Sequence, residues 1–466
     1  MAKERIKNIL LVLLVVMNFV LGSRILTEKK LWPQGYNFFS NIGEFSKLYT
    51  NIKNYFTDTD EYKKKIFAPA KLIINTGDQT TRLSLNSANH EFDKIYEEAI
   101  KVLGEAFKTG AENATVVTKE ELHSALTAES LYLELFSGYD IDVLAQAINV
   151  ENSAIQNQEL KVSDIVIVHK PRTEVYFADR QAQIYQKINV HKEFQALSEV
   201  LEECLLKHAD KEAVINYSFD LKFDKPFGTQ KTTLDPLIQI YSKAPECAVI
   251  DAQNPIAQGA QANEAIIKDI LGVFNISPST MRRYTEAGGT QVFVENNAIL
   301  KIDKNGYLEY QATDGGMRIS SADNEYTNVV NVSSIASEIN DASGNSCDIR
   351  LSKTASNDDK KITYEYIVSG MPVKISDKNI NSAVVAVVED GILKSYKHLI
   401  RKYDVTSARV LPSEFFTSLD NVIAGYSEYM NEIKIDKMYL GYTDDGKTGE
   451  KTAQWIVSVN NIVAGE

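Results

Sequence analysis

Cysteine is scarce in this sequence. The three residues among 466, Cys204, Cys247 and Cys347, are far apart and odd in number. That excludes a disulfide framework and a cysteine metal site, and it reads as buried free thiols. Histidine is also sparse: His90, His123, His169, His191, His208 and His398 show no H-E-x-x-H and no paired spacing. There is no G-x-S-x-G elbow and no cysteine in a nucleophile motif. No catalytic, metal or cofactor site is therefore expected. A basic stripe is missing too. The formal net charge is −13. Residues 1–30 carry six Lys/Arg and two acids, a net of +4, which leaves −17 on the rest. Such an acidic body does not neutralise phosphates, so nucleic acid is excluded as a partner, and the run Lys63, Lys64, Lys65 reads as a solvated face.

Long apolar runs are absent with one exception. Residues 6–26 read IKNILLVLLVVMNFVLGSRIL. As a helix they would reach about 31 Å at roughly 1.5 Å per residue, enough to cross a hydrocarbon core. Lys7 and Arg24 can snorkel to opposite interfaces. The rival is a cleavable signal peptide, but Val20-Leu21-Gly22 before Ser23 is a poor small-x-small site and the long apolar segment suits an anchor better. The expected topology is a single pass, with residues 1–5 as a cytoplasmic tail and the body extracytoplasmic, although Lys/Arg counts on the two sides barely differ. One face of this helix presents Leu11, Leu14, Val15, Asn18, Leu21, Gly22 and Ile25. Gly22 admits a neighbouring backbone and Asn18 offers an amide, so this face is the candidate partner-binding site.

What remains is ordinary for a folded chain: 44% hydrophobic and 24% charged residues. Three mixed α+β blocks with antiparallel sheets are expected, at 31–206, 207–318 and 319–466. In the first, 71–75 and 81–85 flank Thr76-Gly77-Asp78 as a hairpin. Helical spacing follows over 90–107, and Thr118-Lys119-Glu120-Glu121 is a capping box. Next come a strand at 131–136, a helix around 141–148, a meander over 165–188 and a helix at 191–206. The second block opens with alternating Tyr217, Phe219, Leu221 and Phe223, then predicts a helix at 263–274 and a meander over 292–310, where Gly288-Gly289 marks its start. The third predicts a helix at 333–340, strands at 347–351 and 362–368, a hairpin across Asp390-Gly391, a helix after Ser413 and two closing strands near 433–442 and 452–459.

Gly441-Tyr442-Thr443-Asp444-Asp445-Gly446-Lys447-Thr448 matches the phosphate-loop pattern G-x-x-x-x-G-K-[ST] letter for letter. A phosphate loop needs a helix after it, and Thr452, Trp455, Ile456, Val457 and Val459 are strand residues, so a hairpin is expected. Asp303-Lys304-Asn305-Gly306 lacks the ligand series of a calcium loop. Arg282-Arg283 reads as a solvated pair or as a contact for an acidic partner.

The pattern and order of these features resemble the YycH (WalH) family, membrane-anchored accessory proteins of the essential cell-wall two-component system of low-GC Gram-positive bacteria. The resemblance covers nearly the whole chain. It rests on the basic start and single anchor, and on Leu31-Trp32-Pro33-Gln34-Gly35-Tyr36-Asn37-Phe38-Phe39. It rests also on Arg282-Arg283-Tyr284 before the meander, Tyr366-Ile367-Val368-Ser369-Gly370-Met371-Pro372-Val373, Tyr439-Leu440-Gly441-Tyr442 and Trp455-Ile456-Val457. It implies a non-enzymatic regulator at the cell membrane whose partners are a sensor histidine kinase and the sister protein YycI, with a YycI-like third domain. It supplies no catalytic residue. A homodimer stays open. The competing reading is an envelope binding or scaffold protein without a kinase.

Overall fold

The computed structural model describes residues 65–460, apart from 79–81, 151–159, 209–214, 230, 259–260, 296, 314, 321–323, 355–359 and 427–431. The apolar segment 6–26 lies outside the described residues. Residues 63–466 form one compact unit, of the mixed α+β class.

Its first sheet contains Lys71–Thr76 (β1), Arg82–Leu85 (β2), Ala114–Val116 (β3), Glu129–Asp140 (β4), Lys161–Val168 (β5), Thr173–Asp179 (β6) and Ile184–Val190 (β7). The order is β2-β1-β4-β5-β6-β7-β3, antiparallel throughout. Side chains alternate across it. On one face Val166, Tyr132 and Tyr176 pack with Leu122 and Leu126 of helix α2, Lys119–Thr127. On the other, Phe177 stacks at 5.4 Å on Phe107 of helix α1, Phe92–Asn113. With both faces covered, β5 is buried along most of its length, as half-wet antiparallel strands are not. The α2 cap forms as its sequence predicts, Thr118 Oγ1 accepting from Glu121 N at 3.2 Å. A short helix α3, Ile141–Ala147, follows β4, and α4, Gln195–Lys207, follows β7.

A thirteen-stranded sheet makes up most of the remainder. Its main path runs through Arg282–Thr285, Gln291–Glu295, Ala298–Ile302, Tyr307–Ala312, Ile392–Leu399, Val384–Glu389, Lys361–Val368, Met371–Ile375, Ile433–Asp444 and Gln454–Asn460. The meander at 291–312 and the hairpin at 384–399 thus meet in one sheet, Tyr310 pairing with Tyr396. Helix α5, Glu264–Val273, and helix α6, Glu325–Ala342, pack together on this half, and α7, Phe415–Tyr426, buries Phe415 and Leu419 beside Ile433 and Ile435. Tyr139 OH of β4 donates to Leu351 O of the large sheet, and Arg350 Nη1 of that sheet donates to Lys65 O in the chain ahead of β1, both at 2.5 Å.

Three expectations change in the structure. The alternation at 217–223 yields a strand only at Ile215–Tyr217. The chain then turns, because the Asp220 carboxylate accepts from Tyr217 N at 2.9 Å and from Arg82 Nη1 at 2.5 Å. Phe219 lies flat on Tyr217, ring centroids 5.4 Å apart. The helix expected at 333–340 begins eight residues earlier, where Asn324 Oδ1 accepts from Thr327 N at 3.0 Å. Its amphipathic signal is faint because it is buried on several sides, with Asn328, Ser333 and Asn340 inside. Finally, strands Cys247–Gln253 and Lys402–Val410, which no pattern announced, form a small separate sheet in which Cys247–Gln253 is central, between Lys402–Val410 and Gly449–Lys451.

Candidate functional site

Strand β4 places Glu134 beside the start of β1, which places Lys71. Gln239, on the strand Gln239–Tyr241, joins them: its amide donates to Glu134 Oε2 at 2.7 Å, and its oxygen accepts from Lys71 Nζ at 3.0 Å. Behind Glu134 lies Arg180, which donates to Asp164 Oδ2 and to Tyr132 OH, each at 2.6 Å, and lies 3.8 Å from Asp235. The long strand Ile433–Asp444 crosses in front and contributes Lys437 and Tyr439. Lys437 Nζ donates to Phe136 O at 3.0 Å. Burial, reinforced by the charge of Arg180, holds this ammonium below the usual lysine range.

Next along the same surface is Glu365 on the strand Lys361–Val368. Its side chain is almost fully buried. One part of the carboxyl is held by Ser382 and the Ala383 N–H, while Oε2 has no hydrogen-bond partner. Burial pushes this carboxyl up to about 7, against the opposing pull of Lys374. Such a group is partly neutral at pH 7 and can donate a hydrogen bond.

Lys71, Glu134, Glu365, Lys437 and Tyr439 line a cleft of about 1060 Å³ between the open end of the first sheet and the large sheet. Six Lys/Arg line it (Lys71, Lys243, Lys353, Lys374, Arg409, Lys437) against three Glu (Glu134, Glu246, Glu365). In a chain of net charge −13 the cleft is a local reversal of sign. Its other walls are apolar, with Leu135, Phe136, Pro245, Met371 and Leu411. Sequence reading passed over this cleft. A glutamate within the apolar strand at 361–368 is the one available signal, and the cleft's other charges come from distant segments.

The sites singled out in the sequence resolve differently. Leu11, Leu14, Val15, Asn18, Leu21, Gly22 and Ile25 lie outside the described residues. The phosphate-loop letters form a turn between strands: Ile433–Asp444 leads in, and Gly449–Lys451 and Gln454–Asn460 follow where a helix would be required. Its interior is filled by the protein itself. Asp444 Oδ1 accepts from Gly446 N at 2.8 Å, and the fully buried Arg401 donates to Gly446 O at 2.5 Å. Lys447 is exposed and pairs with Asp445 at 2.9 Å. The turn at 303–306 is closed by Asp303 Oδ1, which accepts from Asn305 N and Tyr307 N. Gly288 and Gly289 make the turn before the meander, Glu286 N donating to Thr290 O at 2.8 Å. Arg283 is paired with Glu264 and Gln291 on the surface. Cys204 and Cys247 are buried and Cys347 half-buried, and burial pushes each thiol up to about 11. Among the described residues no group of three or more His, Cys, Asp or Glu could hold a metal ion, and no helix is long and apolar enough to cross a membrane.

No family profile matches the sequence, and no curated protein matches it. Among solved structures, YycH from Bacillus subtilis superimposes with a TM-score of 0.55 at 13% identity, over 85% of this chain and 95% of that one. The chain has a YycH-like fold. An uncharacterized protein from Eubacterium rectale overlaps 57% of this chain and 92% of its own at 12% identity, with a TM-score of 0.34, too low to argue from.

Two glycines quoted for the family resemblance have structural reasons within this YycH-like fold. Gly370 turns the hairpin at 361–375 with a φ of +73°, and a Cβ there would lie 2.9 Å from Ala88 N. Gly441 faces the returning strand, and a Cβ would meet Pro372 O at 2.7 Å. Both hold the cleft's walls together: the first seats the hairpin on the loop after β2, and the second seats the long strand on the hairpin.

Proposed function

We propose that this chain is a membrane-anchored, non-enzymatic regulator of a cell-wall sensor histidine kinase, held at the cell membrane by residues 6–26 with its body outside. The observation that carries the reading is the YycH-like fold, which spans 85% of the chain. The apolar segment 6–26 and the acidic body agree with it, as does the occupied turn where a phosphate loop would have to lie. In this reading the body divides into blocks at 31–206, 207–318 and 319–466, the last YycI-like. A YycI-like sister protein and the kinase are the partners, met through the face of Leu11, Leu14, Val15, Asn18, Leu21, Gly22 and Ile25 and through the outer blocks. An interhelical bond from Asn18 contributes about 0.5–2 kcal/mol in lipid, enough to bias a helix pair already in contact.

The test is co-purification of the full-length chain with the kinase encoded in the same cell, in mild detergent. Wild type should retain the kinase. Asn18→Leu and Gly22→Leu should lower its recovery severalfold while the melting temperature of the body is unchanged. A chain that never retains a kinase would favour an envelope binding or scaffold protein, the reading to which the cleft lends support.

A further inference from the structure

The cleft combines four features that a structural interior does not need. It is cationic in an acidic protein. Its walls are apolar. It holds a buried carboxyl with an unpartnered oxygen. And β2 lies at the end of its sheet, so among the described residues its outer backbone edge has no ladder partner, while Leu83, Ser84 and Leu85 line the cleft.

We propose that this cleft binds an extended acidic peptide segment with apolar side chains, which adds along the edge of β2 and places its carboxylates against Lys437, Lys374 and Arg409. The free edge calls for a strand, since backbone donors and acceptors at a sheet end are completed by an extended chain. Charge complementarity calls for acidic side chains: the ammonium of Lys437 sits in a buried place with Arg180 behind it, and an incoming carboxylate would offset that repulsion. The apolar walls distinguish a peptide from a phosphate polymer, which has no side chains to fill them. Glu365 sits in the wall of the cleft, so its charge state is felt by the ligand. The groups facing Glu365 are Arg350 and Lys374 on the neighbouring strands, and Tyr439 on the long strand, which lies between Glu365 and Glu134 in its electrostatic contacts. Ionisation of Glu365 would set a negative charge against the peptide. Affinity should therefore fall as pH rises through about 7. The inference stands on the cleft and not on the kinase reading, and it is read on the isolated chain.

The experiment uses the full-length chain in nanodiscs of neutral lipid and a fluorescein-labelled octapeptide of alternating Glu and Val, followed by anisotropy. The expected result is saturable binding that weakens at least tenfold in Lys437→Met and in the Lys374→Met/Arg409→Met double variant. Affinity should drop several-fold between pH 6 and pH 8 in wild type, and Glu365→Gln should flatten that dependence. The peptide should also protect Lys243 and Lys374 of the wild-type chain from acetylation, a readout that needs no variant to fold. Absence of saturable binding would overturn the proposal. So would equal binding of a Lys-Val octapeptide. Equal or tighter binding of polyglutamate or of a glycerol-phosphate polymer would overturn the peptide assignment in favour of a general anion site.

Discussion

The imidazole of His398 is fully buried between the hydroxyls of Tyr366, 2.6 Å from Nε2, and Tyr396, 3.0 Å from Nδ1. Burial depresses its pKa to about 3, well below the free value. In the folded state it stays neutral while the unfolded chain takes up a proton below about pH 6.5, so the stability tied to the neutral ring is present above that value and is lost as pH falls toward 3. At about 1.4 kcal/mol per unit, this group removes about 2 kcal/mol between pH 7 and pH 5. The penalty of His398→Gln should therefore be largest at pH 7 and shrink by about that amount at pH 5, measured by denaturant unfolding; a pH-independent penalty would contradict the burial argument. A second residue-level expectation concerns Lys447. Lys451 and Lys447 hold the Asp445 carboxyl well below its usual range, and Arg401 occupies the turn, so ATP should produce no thermal shift in the full-length chain or in Lys447→Ala. Turn chemistry made this site legible in the sequence, because Asp-Asp-Gly-Lys before a β-branched run cannot continue as a helix. Glu365 and Lys437 were not legible. Their chemistry comes from burial in the folded chain, of Lys437 by segments as distant as Phe136 and Arg180 and of Glu365 by the strands on either side of its own, which no local pattern encodes.

Elements with one clean signal were read correctly. The Thr118 cap, the Asp390-Gly391 hairpin and the meander at 291–312 each carry a short-range cause, whether a side-chain acceptor, a positive φ or strict alternation. Elements buried on several sides were cut short or missed. Helix α6 lost its first half because Asn328 and Asn331 break the apolar stripe, although Asn328 is buried against protein. At 217–223 tertiary bonding through Asp220 and Arg82 overrode alternation. Hairpin docking gives the sharpest element-scale prediction. Gly370→Ala puts a side chain on a positive φ and against Ala88, and should cost about 1–3 kcal/mol. Gly425→Ala in α7, where a Cβ meets nothing within 4 Å, should be neutral or raise stability by up to about 1 kcal/mol. A Gly370→Ala chain with unchanged melting temperature would mean that the hairpin does not brace the first sheet. Exchange of residues 6–26 for an unrelated transmembrane segment tests the other element at issue: the chimera should keep its melting temperature and lose most kinase recovery, and full recovery would move the contacts to the outer body.

As a whole the molecule joins an antiparallel seven-stranded sheet to a mixed thirteen-stranded one, in which Ile433–Asp444 runs parallel to Met371–Ile375, through buried hydroxyl and guanidinium bonds, with a cationic cleft at their junction. The cleft is a ligand-sized groove, and in the proposed reading a change of contact needs to shift the balance of a two-state kinase by only about 1–3 kcal/mol. The expected topology has its own check: external protease should digest the body in intact spheroplasts, and a protected body would reverse the orientation. The class of fold was legible because alternation, turns and caps are local. The joining of the meander and the hairpin at 384–399 into one sheet was not, since strand order depends on packing between segments far apart in sequence. The central claim, regulation of a sensor kinase, is tested most directly by deleting the chain from its native cell and measuring the phosphorylated fraction of the cognate response regulator on a phosphate-affinity gel. The account predicts a shift of several-fold in either direction, restored by the wild-type chain. An unchanged phosphorylated fraction, under conditions where the kinase itself is active, would contradict it.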